Sequence, residues 1–157
     1  MKSKVYLETS FISYLVSRPS KNLIVAAQQQ VTNDWWYNRR SRFDLYLSHL
    51  VIRESSEGDE KEVKKRLDTV KDIPLLELRV EAQNLGRMFL SNKVLPKKAA
   101  DDALHISVAT IYGIDYLLTW NCKHMANAEI QKRLAKICLE QGYELPTICT
   151  PYELMGE

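Results

Sequence analysis

The sequence predicts an α/β protein built on a mainly parallel central sheet of four to five strands. Three observations carry this expectation. Short apolar runs recur along the chain, stretches with apolar residues at helical spacing separate them, and Pro, Gly or a capping residue marks most junctions. Strands that alternate with helices are joined by crossovers rather than hairpins, so they pair in parallel with helices covering both faces. A chain of 157 residues is long enough for one domain, 1–157, to bury a continuous core without disulfides.

Lys4 to Leu7 reads as a short buried strand, after which Thr9-Ser10 caps a helix through Phe11, Tyr14 and Leu15 that stops before Pro19. A second helix, about 21–40, carries Leu23, Ile24, Ala27 and Val31 at helical spacing. Phe43, Leu45 and Leu47 alternate with Asp44 and Tyr46 in a second strand, and Ser48 caps the helix that bears Glu54. Gly58-Asp59 starts another helix with Val63, Leu67 and Val70 on one stripe. Pro74 closes it before a third strand at 75–78. The next helix, 80–90, turns Ala82, Leu85, Met88 and Phe89 inward, and Pro96 punctuates. From 98 to 112 a helix places Asp102, His105, Ile106 and Ala109 on one face, and Gly113 ends it. A strand at 116–118, a polar loop with Asn121, a helix at 128–141 and a strand at 147–149 complete the chain.

Composition excludes several classes. No apolar stretch approaches the roughly 20 residues that cross a bilayer, and Met-Lys-Ser-Lys runs straight into a strand without a signal-peptide pattern, so a cytoplasmic protein with no membrane role is expected. Cys122, Cys138 and Cys149 lack CxxC spacing and are expected as free, buried thiols. GxxxxGK[ST], GxGxxG and GxSxG are absent, which removes nucleotide-driven and serine-hydrolase readings. The net charge of +2 decides nothing; basic clusters at 39–42, 64–66, 97–98 and 132–133 could receive phosphates around an acidic site, although solvated helix faces are the ordinary reading of any one of them.

Glu8, Glu54, Asp102 and Asn121 each lie where an apolar run meets a turn or opens a helix. A carboxylate ending a core strand is costly unless it has partners or a ligand. Gathered at one sheet edge, acids 4–5 Å apart repel by roughly 3–4 kcal/mol per pair at an effective dielectric near 20. A hard divalent cation relieves this, and oxygen-only ligands suit Mg²⁺ or Mn²⁺, which activate water and neutralise phosphate. Taken singly, each residue has an ordinary structural explanation: Glu8 as a cap, Glu54 as a surface helix residue, Asp102 as a helix N-terminal charge and Asn121 as a turn residue. The histidines lack zinc spacing. His105, on an inner helix face, is expected as a hydrogen-bonded core residue, and His124 either contacts phosphate near Asn121 or lies on the surface.

Three segments together carry a family resemblance. Val5-Tyr6-Leu7-Glu8-Thr9-Ser10-Phe11, Ala100-Asp101-Asp102-Ala103-Leu104-His105-Ile106 and Leu117-Leu118-Thr119-Trp120-Asn121-Cys122-Lys123-His124 resemble, in order and spacing, the first strand with its acid and Thr-Ser turn, the acidic helix start, and the late strand and polar loop of PIN-domain ribonucleases, and within them the VapC-like toxins of type II toxin–antitoxin pairs. The resemblance implies a PIN-like three-layer α/β/α sandwich and a Mg²⁺-dependent (or Mn²⁺-dependent) endoribonuclease. Glu8, Glu54 and Asp102 stand at its metal-binding positions, and Asn121 at its fourth position. Thr9, Ser10 and Thr119 would orient ligands or water. Glu8 replaces the family's usual aspartate, a change that moves the carboxylate by roughly 1.5 Å. A protein antitoxin and a homodimer are likewise implied.

Arg39 and Arg40 beside Trp35, Trp36 and Tyr37 suit base stacking, partner-helix docking or self-association, against the ordinary reading that at least one of the tryptophans packs over the sheet edge, and Lys123 and His124 are the other candidate RNA contacts. Two other readings stand beside the ribonuclease. One is a non-catalytic module with this fold that binds RNA or protein; the other is a metal-dependent DNA nuclease, since no motif here reads a 2′-hydroxyl.

Overall fold

In the computed structural model, which describes Met1–Glu157, the first strand of the chain is the central strand of the sheet. Val5, Tyr6 and Leu7 of β1 (Ser3–Leu7) are wholly buried, as a strand covered on both faces requires. β1 pairs with β2 (Phe43–Ser48) on one side and β4 (Tyr116–Leu118) on the other. β3 (Leu75–Leu76) extends the sheet beyond β2, and β5 (Thr147–Cys149) beyond β4. The order is β3-β2-β1-β4-β5, and every pairing is parallel.

The helices divide by the direction in which the chain winds. α1 (Thr9–Val16), α2 (Leu23–Asn38), α3 (His49–Ser55) and α4 (Glu60–Val70) belong to the outward path from β1 to β3. α5 (Val80–Ser91), α6 (Ala100–Ile111) and α7 (Ala128–Glu140) belong to the return through β4 to β5. Right-handed crossovers place the two groups on opposite faces, giving three layers. Within them α1 packs on α2, α3 and α4, and α5 packs on α6 and α7. The strand order reverses between β1 and β4, so the crevice outside their carboxyl ends is the place where such a fold holds ligands. Glu8 and Thr119 are the first residues beyond those two ends.

Several local expectations need correction. Glu8 itself, not Thr9-Ser10, is the N-cap of α1. The third strand spans two residues rather than four, and a 3₁₀ turn at Lys97–Ala99 precedes α6. Cys138 and Cys149 are buried but Cys122 is exposed. The largest difference concerns α2: Leu23 and Ile24 are 87% and 70% exposed, while Gln29, Thr32, Trp35 and Trp36 form its buried face. Trp35 packs edge-on against Phe11, stacks on Phe43 and donates its indole N–H to the Leu154 carbonyl at 3.1 Å. These two tryptophans are core residues and offer no ring to a nucleobase. No helix is long and apolar enough to cross a membrane.

Candidate active site

Glu8 leaves β1 in an extended conformation (φ −81°, ψ 159°) and turns its carboxylate back over the first turn of α1. It is only 6% exposed, so its charge must be met by donors. Oε1 accepts from Ser10 Oγ at 2.5 Å and from Thr119 Oγ1 at 2.6 Å, and Oε2 accepts from Ser10 N at 3.1 Å. Ser10 Oγ in turn accepts from Trp120 N, and Thr119 Oγ1 from Asn121 N. A single hydroxyl from each of two chain segments thus ties β1, α1 and the loop after β4 together. Ser10 and Thr119 thus both donate hydroxyls to Glu8, and Thr9 donates to Glu54.

Glu54 points back from α3 toward the same crevice. Its Oε1 accepts from Thr9 Oγ1 at 2.6 Å and is bonded to His105 Nε2 at 2.6 Å. His105 is fully buried under the site, and its other nitrogen lies 2.6 Å from Tyr6 Oη, which lies 2.8 Å from Ser48 Oγ. Burial opposes protonation of His105, but the hydrogen bond to Glu54 and the charges of Glu8, Glu54 and Asp102 outweigh it and raise its pKa. Burial likewise works against the Glu54 carboxylate, yet His105, Thr9 and Arg53 together hold its pKa below the ordinary value. Desolvation pushes the Tyr6 hydroxyl strongly upward, so it stays protonated.

Ligand atoms of Glu8, Glu54 and His105 all lie within 4.8 Å of one another. Asp102 is beside this group rather than in it: Oδ2 is bonded to His124 Nδ1 at 2.9 Å. His124 is held by its own backbone N–H, which donates to Asn121 Oδ1 at 2.9 Å. Asn121 therefore shapes the loop that presents His124 to Asp102. Asp101 is exposed and pairs with Arg53 at 3.0 Å. Exposed Lys97 and Lys98 precede α6, whose first turn carries Asp101 and Asp102, and Lys123 is exposed beside His124 in sequence.

Arg39 and Arg40 lie elsewhere. They precede Phe43, which pairs with Ser3 at the amino edge of the sheet, roughly 16 Å from Glu8 at about 3.3 Å per strand residue. Arg40 stacks on Trp36 at 4.3 Å, and Arg39 lies 5.9 Å from the Phe43 ring centre. The expectation that they flank the acids does not hold.

The buried partners Tyr6 and Ser48 escaped the sequence reading, although a tyrosine inside an apolar strand and a histidine one turn after Asp102 were visible. His105 is the hydrogen-bonded core residue expected of it, and its partner is a site carboxylate. Beyond the acids, Leu23, Ile24, Ala27 and Val31 of α2 line an apolar groove with Trp120 and Tyr152. Trp120 stacks on Tyr14 and is next to Thr119, so the groove begins where the acidic crevice ends.

No family model matches this sequence, and no curated protein matches it. Solved structures do. VapC20 of Mycobacterium tuberculosis, a sarcin-ricin loop cleaving toxin, superposes with a TM-score of 0.58 at 13% identity, over 76% of this chain and 92% of its own. VapBC2 from Rickettsia felis, bound to a DNA fragment from their promoter, gives a TM-score of 0.51 at 17% identity, over 76% of this chain and 89% of its own. At these identities the likeness concerns architecture: five parallel strands between two helical layers, with the acids at the carboxyl edge, are the PIN-like fold, and this chain has it.

Proposed function

We propose that this chain is a metal-dependent endoribonuclease acting as the toxin of a VapBC-type toxin–antitoxin pair. The observation that carries the reading is the approach of Glu8 and Glu54, from elements 46 residues apart, to within 4.8 Å at the strand ends. Two carboxylates drawn so close repel in the absence of a cation, and the fold spends donors on holding them there. The donor set fits a divalent ion: Glu54 Oε2 takes no hydrogen bond from the protein, and Glu8 Oε2 takes only the backbone N–H of Ser10. Glu8, Glu54 and Asp102 would hold Mg²⁺ or Mn²⁺, which supplies activation of water and neutralisation of phosphate charge. Glu8 reaches its place through its longer side chain while also capping α1.

The remaining residues serve substrate and partner. Lys97 and Lys98 before α6, Arg53 beside Asp101 and Lys123 next to His124 would supply positive charge to RNA phosphates, and His124 with Asn121 fixes the orientation of Asp102. The apolar groove along α2 suits an inhibitory protein antitoxin, since exposed leucine and isoleucine side chains favour a protein surface over RNA. A homodimer and a cytoplasmic location belong to the same reading.

One observation favours a second reading, a non-catalytic RNA- or protein-binding module: Glu8 and Asp102 already have protein partners, as in a site that serves only structure. Incubating the purified chain with structured RNA, with Mg²⁺ or Mn²⁺ and then with EDTA, separates the two. Endonucleolytic products that need the metal support the nuclease. Intact RNA at every metal concentration supports the module, and cleavage of single-stranded DNA alone supports a DNA nuclease.

A further inference from the structure

We propose that His105 is a positioning residue that, with Tyr6 and Ser48, aims the Glu54 carboxylate at the metal; the inference rests on the metal-dependent reading above. Nε2 of His105 is 2.6 Å from Glu54 Oε1, and Thr9 Oγ1 donates to that same oxygen at 2.6 Å. Two donors on Oε1 fill its lone-pair directions, so Oε2 is the oxygen left for a ligand. Glu54 sits near the end of a seven-residue helix, its side chain 26% exposed and held by no other hydrogen bond. Its orientation therefore depends on a partner that cannot move.

His105 meets that requirement. It has no exposed surface, it follows Asp102 by one helical turn, and its ring stands edge-on to Tyr6 with centroids 5.8 Å apart. In one arrangement every polar hydrogen of the chain is used: Ser48 O–H donates to Tyr6 Oη, Tyr6 O–H to His105 Nδ1, and His105 Nε2–H to Glu54. In the imidazolium form Nε2–H still donates to Glu54, so the orientation survives either charge state. The chain of contacts runs from β2 through β1 to α6 and ends on α3. Four elements thus fix one carboxylate, which is the arrangement that orients metal ligands from behind.

The test is calorimetric titration of Mn²⁺ into the full chain and its variants, with circular dichroism to confirm the fold. His105→Leu removes the donor and should weaken Mn²⁺ binding by roughly 10–100-fold. His105→Gln, whose amide can donate from the place of Nε2, should recover most of that affinity. Tyr6→Phe loosens the histidine without touching Glu54 and should fall between parent and His105→Leu. Equal affinity in parent and His105→Leu overturns this inference and leaves the nuclease reading standing, and a parent that binds no Mn²⁺ overturns both. If His105→Leu fails to fold, Tyr6→Phe decides: unchanged affinity overturns the proposal, and weakened affinity supports it.

Discussion

Replacing Glu8 by Gln separates the cost of the acidic cluster from its use. The substitution keeps the side-chain length and removes one charge. Two charge-assisted hydrogen bonds, from Ser10 Oγ and Thr119 Oγ1, become neutral ones, a loss of about 1 kcal/mol each. The amide also presents an N–H to one of its former donors, which weakens the cap of α1 by about 1 kcal/mol. Against this, the repulsion between Glu8 and Glu54 at 4.8 Å or less disappears, worth roughly 3 kcal/mol at an effective dielectric near 20. The two sides nearly cancel. The metal-free variant should therefore melt within about 4 °C of the parent, since 1 kcal/mol corresponds to roughly 2–4 °C for a domain of this size. The parent should gain about 2.7 kcal/mol at a free Mn²⁺ concentration 100 times its Kd, and Glu8→Gln should lose most of that gain together with RNA cleavage. Thermal melts with and without Mn²⁺, paired with a cleavage assay, read both. Glu8→Asp should keep much of each. A Glu8→Gln protein that cleaves RNA as the parent does would refute the argument and reduce Glu8 to a helix cap.

Asp102→Asn should leave the domain folded, because the amide can still accept from His124, yet remove most metal-dependent cleavage; full activity in the folded variant takes Asp102 out of the site. Trp35→Ala should destabilise the protein by about 3–5 kcal/mol in a denaturant titration, since the ring is fully buried between Phe11 and Phe43. The pH dependence of the metal-free protein follows from His105 and Glu54. With its pKa raised above 6.5, His105 contributes stability that is fully present below pH 6.5 and is lost as pH rises through the folded value. Glu54, lowered from 4.5, contributes stability that is present above pH 4.5 and is lost as pH falls through its folded value. Urea midpoints should thus be highest between these limits, and His105→Gln should flatten the alkaline decline. Ile24→Glu, on the exposed groove, should leave melting and cleavage unchanged and weaken binding of the inhibitory partner.

Val5–Leu7 of β1 and β4 were legible because a strand segment buried on both faces has to be apolar, and β2 because Phe43, Leu45 and Leu47 alternate with Asp44 and Tyr46. Glu8 was legible for the first of these reasons, as a carboxylate at the end of such a run. Which face of α2 is buried was not legible. Leu23, Ile24, Ala27 and Val31 have the spacing of a core stripe, but that periodicity marks only a surface that is apolar, whether turned to the core or to a groove. The true buried face includes Gln29 and Thr32, whose side chains bond within the protein. The pairs Glu54–His105 and Asp102–His124 join residues 51 and 22 apart, and no local pattern announces them. They exist because the strand order reverses at β1, which only the assembled sheet reveals. Arg39 and Arg40 erred for the converse reason: a basic run near aromatic residues has no direction until the strand it precedes has one.

The position of β1 bears on how the protein comes into being. β1 lies at the centre of the sheet and is made well before the strand on one side of it, since its Val5 pairs with Tyr116, 111 residues later. A nascent chain holding only β1, β2 and β3 exposes one long side of its central strand, and Glu8 has no Thr119 to meet it. Such distant pairing slows folding and makes it all-or-none. A chain cut short just before Leu118 would therefore carry Glu8, Glu54 and Asp102 without the Thr119 and His124 that hold two of them, so the proposed site would be complete only after the loop beyond β4 is made. For a protein read as harmful to the cell that makes it, late assembly gives an inhibitor synthesised alongside it time to be ready.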